Sequence, residues 1–444
     1  MADRGTKIPR SAQSADGAPR RRFTRARQVF GRGVARNKLL LLLAVVGPGI
    51  ITSNVDNDPG GITTYSIAGA HYGYDLLWML LPMLIALIVV QEMCVRMGIV
   101  TGKGLADLIR ENFGLKLTFY LLAALLLTNI FNTMSEFSGV AAASELLGVS
   151  RYLALPLAAM FVLFLIFRGT YRVVERVFLV ASTFYVAYVI AAFMAEPNWG
   201  EVVHSAVVPH IELSTAYIVL MVGLIGTTIA PWMQFYIQAS TVEKSIKKDE
   251  LRYSQIDVTV GSMMAVAVAG FIIIATAATL HKAGITVDSA AAAAQALEPL
   301  AGKYAKTLFA LGLLAAGVFS AGILPLSTAY HVCEGMGWPA GVSHAYREAK
   351  QFYVLYLLIV AVAVVPILLP QISLVKVMFF SQVANGILLP FVLLMMLRLV
   401  NDRDLMGDKV NGVVFNIIAY ATVVLVIVFS LAGIILPLVQ GLIP

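Results

Sequence analysis

The chain has 444 residues, of which 59% are hydrophobic and 13% charged, about half the charged share of a soluble globular domain, so a water-soluble enzyme or binding domain is excluded. The net charge of +7 is concentrated between Arg4 and Lys38, next to an apolar run, and points to an anionic lipid surface, with no nucleic-acid partner. Cys94 and Cys333 lie in or at the ends of apolar segments as small buried groups, which excludes a disulfide framework.

In chain order, residues 1–38 read as a disordered basic arm. They contain no short apolar stretch ending at a small-residue cleavage site, so the first apolar run is expected to be retained. Runs long enough to cross about 30 Å of hydrocarbon then predict eleven spans, at 39–70, 74–100, 117–147, 152–167, 177–194, 213–239, 256–280, 307–333, 352–369, 375–397 and 413–442. Sorting the 32 Lys and Arg residues between the two sides leaves only Arg151, Lys282, Lys303, Lys306 and Lys376 opposite the N-terminus. That asymmetry predicts a cytoplasmic N-terminus and an extracellular C-terminus in a multi-pass cell (inner) membrane protein.

Two spans are interrupted near mid-membrane, span 1 at Asp58-Pro59-Gly60-Gly61 and span 6 at Gly226-Thr227-Thr228-Ile229-Ala230-Pro231. Spans 1 and 6 are five apart, the spacing of corresponding members in two inverted five-helix repeats whose broken helices meet at a substrate site. The expected architecture is an all-α, LeuT-like 5+5 inverted repeat. The first repeat is 39–200, the second 201–399, and 400–444 adds a cytoplasmic loop and span 11.

Proline removes a backbone donor, so carbonyls before each break lose their forward bonds, and a helix C-terminus carries partial negative charge. The Val55 and Thr227 carbonyls and the Asp58 carboxylate are therefore expected to converge on one cation. The alternative is a pair of proline kinks with Asp58 paired to a buried base. No Lys or Arg lies in the middle third of any span to serve, and an unpaired carboxylate there costs roughly 2.5 to 3.5 kcal/mol, which favours the cation.

Gly47-Pro48-Gly49, Asp58-Pro59-Gly60, Gly73-Tyr74-Asp75-Leu76-Leu77-Trp78 and Thr101-Gly102-Lys103 resemble, in order and spacing, the start of NRAMP divalent-metal transporters. Glu136-Phe137, Leu311 to Gly317, Ser381-Gln382-Val383, Leu389-Pro390-Phe391 and Leu405-Met406-Gly407 continue the resemblance, which covers nearly everything after the arm. The departures change what it implies. The family's motif is Asp-Pro-Gly-Asn in span 1, with a methionine before the span-6 proline, where this chain has Gly61 and Ala230.

Two metal-contacting side chains of the family are thus missing, one of them the soft thioether that suits transition metals. Both replacements are small, and a roomier all-oxygen site suits Mg²⁺, which gives up its water reluctantly. Gln382, Asn385, Thr228 and Gln234 are candidates to hold a water shell, and Asp56 and Asn57 add polarity where the family is usually apolar or aromatic. The set resembles the NRAMP-related magnesium transporters. The family associates an acidic residue three before the span-3 glutamate, and a histidine after the span-6 break, with proton movement; here Thr133 stands at the first and no histidine at the second. Asp58 and Glu136 remain the titrating groups nearby.

The expected function is a non-enzymatic, alternating-access importer of Mg²⁺, with Mn²⁺ as a further cargo, working as a monomer without a resident cofactor and without proton coupling. Proton-coupled Mn²⁺ or Fe²⁺ import is the alternative, and a sodium-coupled organic-solute symporter is a third. No phosphate-cradling glycine loop or nucleophile elbow appears. His71, His204, His210, His281 and His331 fall near span ends or in loops, His344 lies in a cytoplasmic loop, and all are expected in surface or capping roles. Ala290–Ala294 reads as the start of a short external helix.

Overall fold

The computed structural model describes residues 55, 57–168, 186–342 and 344–439. The basic arm, the first half of span 1, Asp56 and the opening of span 5 lie outside the described residues. Among those described, the regular structure is entirely helical. Eight helices there are long and apolar enough to cross a membrane, and Arg151–Phe167 is a shorter apolar one. The eight match expected spans 2, 3 and 6 to 11, and the chain is a multi-pass membrane protein.

The elements that shape the centre are α1 (Pro59–Tyr72), α2 (Leu80–Thr101), α3 (Leu105–Phe113), α4 (Leu115–Leu146), α5 (Arg151–Arg168), α6 (Val186–Met194), α7 (Trp199–Val207), α8 (Thr215–Thr228), α9 (Pro231–Glu243), α10 (Leu251–Thr276), α11 (Ala305–Met336), α12 (Lys350–Ile367), α13 (Leu374–Val400) and α14 (Val413–Val439). The expected short helix at Ala290–Ala294 is present, its first turn capped by the Ser289 hydroxyl.

Both interruptions are narrower than the sequence suggests. Asp58 and Ala230 are extended N-cap residues (φ −68°, ψ 175° and φ −63°, ψ 138°), each followed by a proline at the first helical position. There the fixed φ suits a helix start and the missing N–H is not needed. Gly60 and Gly61 therefore belong to the first turn of α1, and Gly226 to Thr228 belong to α8.

These glycines serve packing instead of flexibility. A Cβ on Gly226 would lie 2.0 Å from the Gln382 carbonyl oxygen and 2.4 Å from the Gly386 nitrogen, so α8 and α13 touch backbone to backbone. Pro59 is held in the same way against Gly139 of α4, where a Cβ would lie 2.4 Å from the proline ring. Small residues permit such approach where lipid supplies no hydrophobic drive between helices.

The apolar interior forms two clusters, and the chain changes cluster at each interruption. Val55 and Ala230 belong to one with Phe137, Trp232 and Phe319. Ile62, Tyr65, Ile225 and Ile229 belong to the other. The polar residues at the interruptions thus occupy the seam between two dry cores.

Candidate metal centre

The seam contains Asp58, Asn57, Glu136, Thr227, Thr228, Gln234, Gln382 and Asn385, each at most 4% exposed. Val55 is fully buried and Ala230 1% exposed beside them. The carboxylate of Asp58 caps α1, its Oδ1 accepting from the Gly61 amide at 2.6 Å. Asp58 is thus fixed by the helix it starts. Four residues after Val55 and after Thr227 stand Pro59 and Pro231, neither of which has an amide hydrogen, so neither carbonyl can close its helical bond.

Glu136 of α4 lies close enough to Asp58 for the two carboxyl groups to act on one another, and neither of its oxygens has a donor in the protein. The Ser135 and Thr227 hydroxyls and the Gln382 amide nitrogen are likewise buried without a partner. Ser135 and Gln382 converge on Gly60: a Cβ there would meet the Gln382 nitrogen at 1.9 Å and the Ser135 oxygen at 3.0 Å. A buried polar atom left unpaired costs about 1–3 kcal/mol, and here several gather at one place. The arrangement can accept a small polar guest.

Other expected site residues already have partners within the protein. Thr228 donates to the Leu224 carbonyl at 2.9 Å and shares a 2.9 Å bond with the Tyr65 hydroxyl. Gln234 donates to the Ala230 carbonyl at 3.1 Å and accepts from Cys94 at 3.8 Å, so its side chain stabilises the start of α9. Asn57 reaches the Ala265 carbonyl of α10 at 3.4 Å. Asn385 bonds Asn132 and Gln382. Asp56, also expected here, lies outside the described residues.

The sequence reading missed Asn132, Ser135 and Tyr65. Asn129, Asn132, Thr133 and Glu136 recur at three- and four-residue spacing along an otherwise apolar helix, and that polar stripe was the available signal. His331 also departs from expectation, being fully buried against Phe235 with neither ring nitrogen partnered; α11 continues past the expected span end, to Met336. His281 does cap, bonding the Ala70 carbonyl at 3.0 Å.

Residues 49–436 match the family model described as natural resistance-associated macrophage protein-like, Nramp. The chain belongs to the Nramp family. Among its relatives, the divalent metal cation transporter MntH of Deinococcus radiodurans is 30% identical over 417 residues, 90% of each chain. The MntH of Mesorhizobium japonicum is 29% identical over 413 residues, 88% of each chain.

The Nramp fold is recovered in three dimensions. The crystal structure of the Eremococcus coleocola manganese transporter superposes with a TM-score of 0.74 at 22% identity, covering 88% of this chain and 86% of that one. Mhp1, a nucleobase-cation-symport-1 family transporter, superposes with a TM-score of 0.56 at 14% identity, over 88% and 89% of the two chains. Among the described residues, no three His, Cys, Asp or Glu side chains cluster to hold a metal.

Proposed function

We propose that this Nramp protein imports a divalent cation through a site formed by Asp58 with the Val55 and Thr227 carbonyls. The observation that carries the reading is the group of buried polar atoms without protein partners on Ser135, Glu136 and Gln382, beside the capped Asp58 and the first turn of its helix, with the unpartnered Thr227 hydroxyl at the end of α8. Relatives named divalent metal cation transporters support the substrate class. The preferred cargo is partly hydrated Mg²⁺, with Mn²⁺ also carried. The side chains of Ala230 and Gly61 carry no ligand atom and are small, and the coordinating atoms are oxygens.

The same proposal gives the chain eleven spans in two inverted repeats, an N-terminus in the cytoplasm, and alternating access by a monomer in the inner membrane. Import needs no proton. A divalent ion falling through 100 mV gains about 4.6 kcal/mol, twice the single-charge value, enough for roughly thousandfold accumulation. One observation favours a second reading, proton-coupled Mn²⁺ import: Glu136 faces Asp58, and a second acid beside the first could carry a proton.

Uptake into liposomes holding a Mg²⁺ dye and a pH dye separates these readings. Voltage-driven Mg²⁺ entry without internal acidification is expected. Mn²⁺ entry with no Mg²⁺ entry sinks the selectivity, and Mg²⁺-dependent acidification sinks the uncoupled mechanism. Asp58→Asn is expected to abolish both metal fluxes.

A further inference from the structure

Gln382 does not set its own orientation. Asn132 of α4 and Asn385 of α13 form a reciprocal amide pair, with Asn132 Nδ2 donating to Asn385 Oδ1 at 2.7 Å and Asn385 Nδ2 donating to Asn132 Oδ1 at 3.1 Å. Asn385 Nδ2 spends its other hydrogen on Gln382 Oε1 at 3.0 Å. The oxygen of Gln382 is thereby occupied, and its NH₂ faces the first turn of α1, buried and unpartnered over Gly60. All three residues are at most 1% exposed, so water does not compete for these bonds.

A donor is the wrong group to present to a cation, because an amide NH₂ carries partial positive charge and cannot ligate. The network has a second arrangement with the same number of hydrogen bonds. If Asn132 and Asn385 both exchange their oxygen and nitrogen positions, the reciprocal pair survives. Asn385 then offers an oxygen to Gln382, which must answer with its NH₂ and turn Oε1 toward the site. No bond is lost in the exchange, and the two arrangements differ in whether the site sees a donor or an acceptor.

We propose that Asn132 and Asn385 are positioning residues for the ion, a relay of three amides whose concerted reversal turns Gln382 from donor, in the empty site, to oxygen ligand or water acceptor in the filled one. This rests on the ion site proposed above. Asn132 would then affect ion affinity through Gln382 alone. It ties α13 to α4 in the same step, so ion occupancy is communicated to a helix pair that carries Glu136 as well.

The test is a double-mutant cycle on the purified full chain, with Mn²⁺ and Mg²⁺ binding read by calorimetry. Gln382→Glu presents an oxygen whatever the polarity of the relay. Asn132→Leu is expected to weaken binding five- to tenfold in the wild-type background and less than twofold beside Gln382→Glu. An equal loss in both backgrounds shows that Asn132 acts by packing and overturns the relay, as does no loss in the wild-type background. The cycle is run in parallel with Asn132→Thr, so that a poorly folding leucine variant leaves the answer decided. A wild-type protein that binds neither ion overturns the site and the relay together. Binding that Asp58→Asn abolishes, but that shows no coupling in the cycle, overturns the relay alone.

Discussion

Asp58 performs two tasks that a pair of substitutions separates. Its Oδ1 caps α1 through a 2.6 Å bond from Gly61, and its charge is assigned to the ion. Serine caps a helix about as well as aspartate, whereas alanine forfeits about 1 kcal/mol. Both Asp58→Ser and Asp58→Ala relieve the ion-free protein of a buried carboxylate, and because only serine keeps the cap, Asp58→Ala should be about 1 kcal/mol less stable than Asp58→Ser. Ion binding divides differently. An ion present at a hundred times its Kd stabilises the folded protein by about 2.7 kcal/mol, and that increment should vanish in both variants because both lack the charge. Denaturant unfolding in detergent, with and without Mg²⁺, reads both quantities. An Asp58→Ser protein that keeps the wild-type Mg²⁺ increment refutes the assignment of the charge to the ion.

Three further outcomes follow from the packing. Gly226→Ala places a methyl 2.0 Å from the Gln382 carbonyl oxygen and 2.4 Å from the Gly386 nitrogen; backbone cannot turn aside as a side chain can, so a stability loss of about 1–3 kcal/mol and weaker ion binding are expected in unfolding and calorimetric assays. Arg96→Ala strands the Glu92 carboxylate, which is 8% exposed and bonded by both the Arg96 guanidinium and Gln255; about 3–5 kcal/mol should be lost, while Glu92→Leu with Arg96→Met should recover most of it. His331→Leu removes two buried ring nitrogens that have no partner, so thermal unfolding should show equal or higher stability, and a large loss would mean that the imidazole has a function.

The length of apolar runs made the described spans legible, since α4, α8, α10, α13 and α14 lie where hydropathy places them. Pro59 and Pro231 marked both interruptions, but that each opens a helix at its first position came from the structure, where the fixed φ suits a helix start. The purpose of the neighbouring glycines was not legible. Gly60 and Gly226 read as members of the two interruptions, yet each meets a group from α13, a helix far away in sequence. The candidate site was legible in its charges and carbonyls, for these depend on residue type and on the prolines. It was less legible in its amides. Asn132 and Asn385 are 253 positions apart, and nothing local distinguishes Gln382, whose amide faces Gly60, from Gln234, which holds its own helix start.

The most direct measurement is a difference density map from crystals of the full chain soaked in Mn²⁺, using the metal's anomalous signal. One strong peak is expected in the seam between the two apolar clusters, within coordination or water-bridged distance of Asp58, the Val55 carbonyl and the Thr227 carbonyl, and it should be lost in Asp58→Asn. A peak elsewhere, with nothing beside Asp58, contradicts the proposed site.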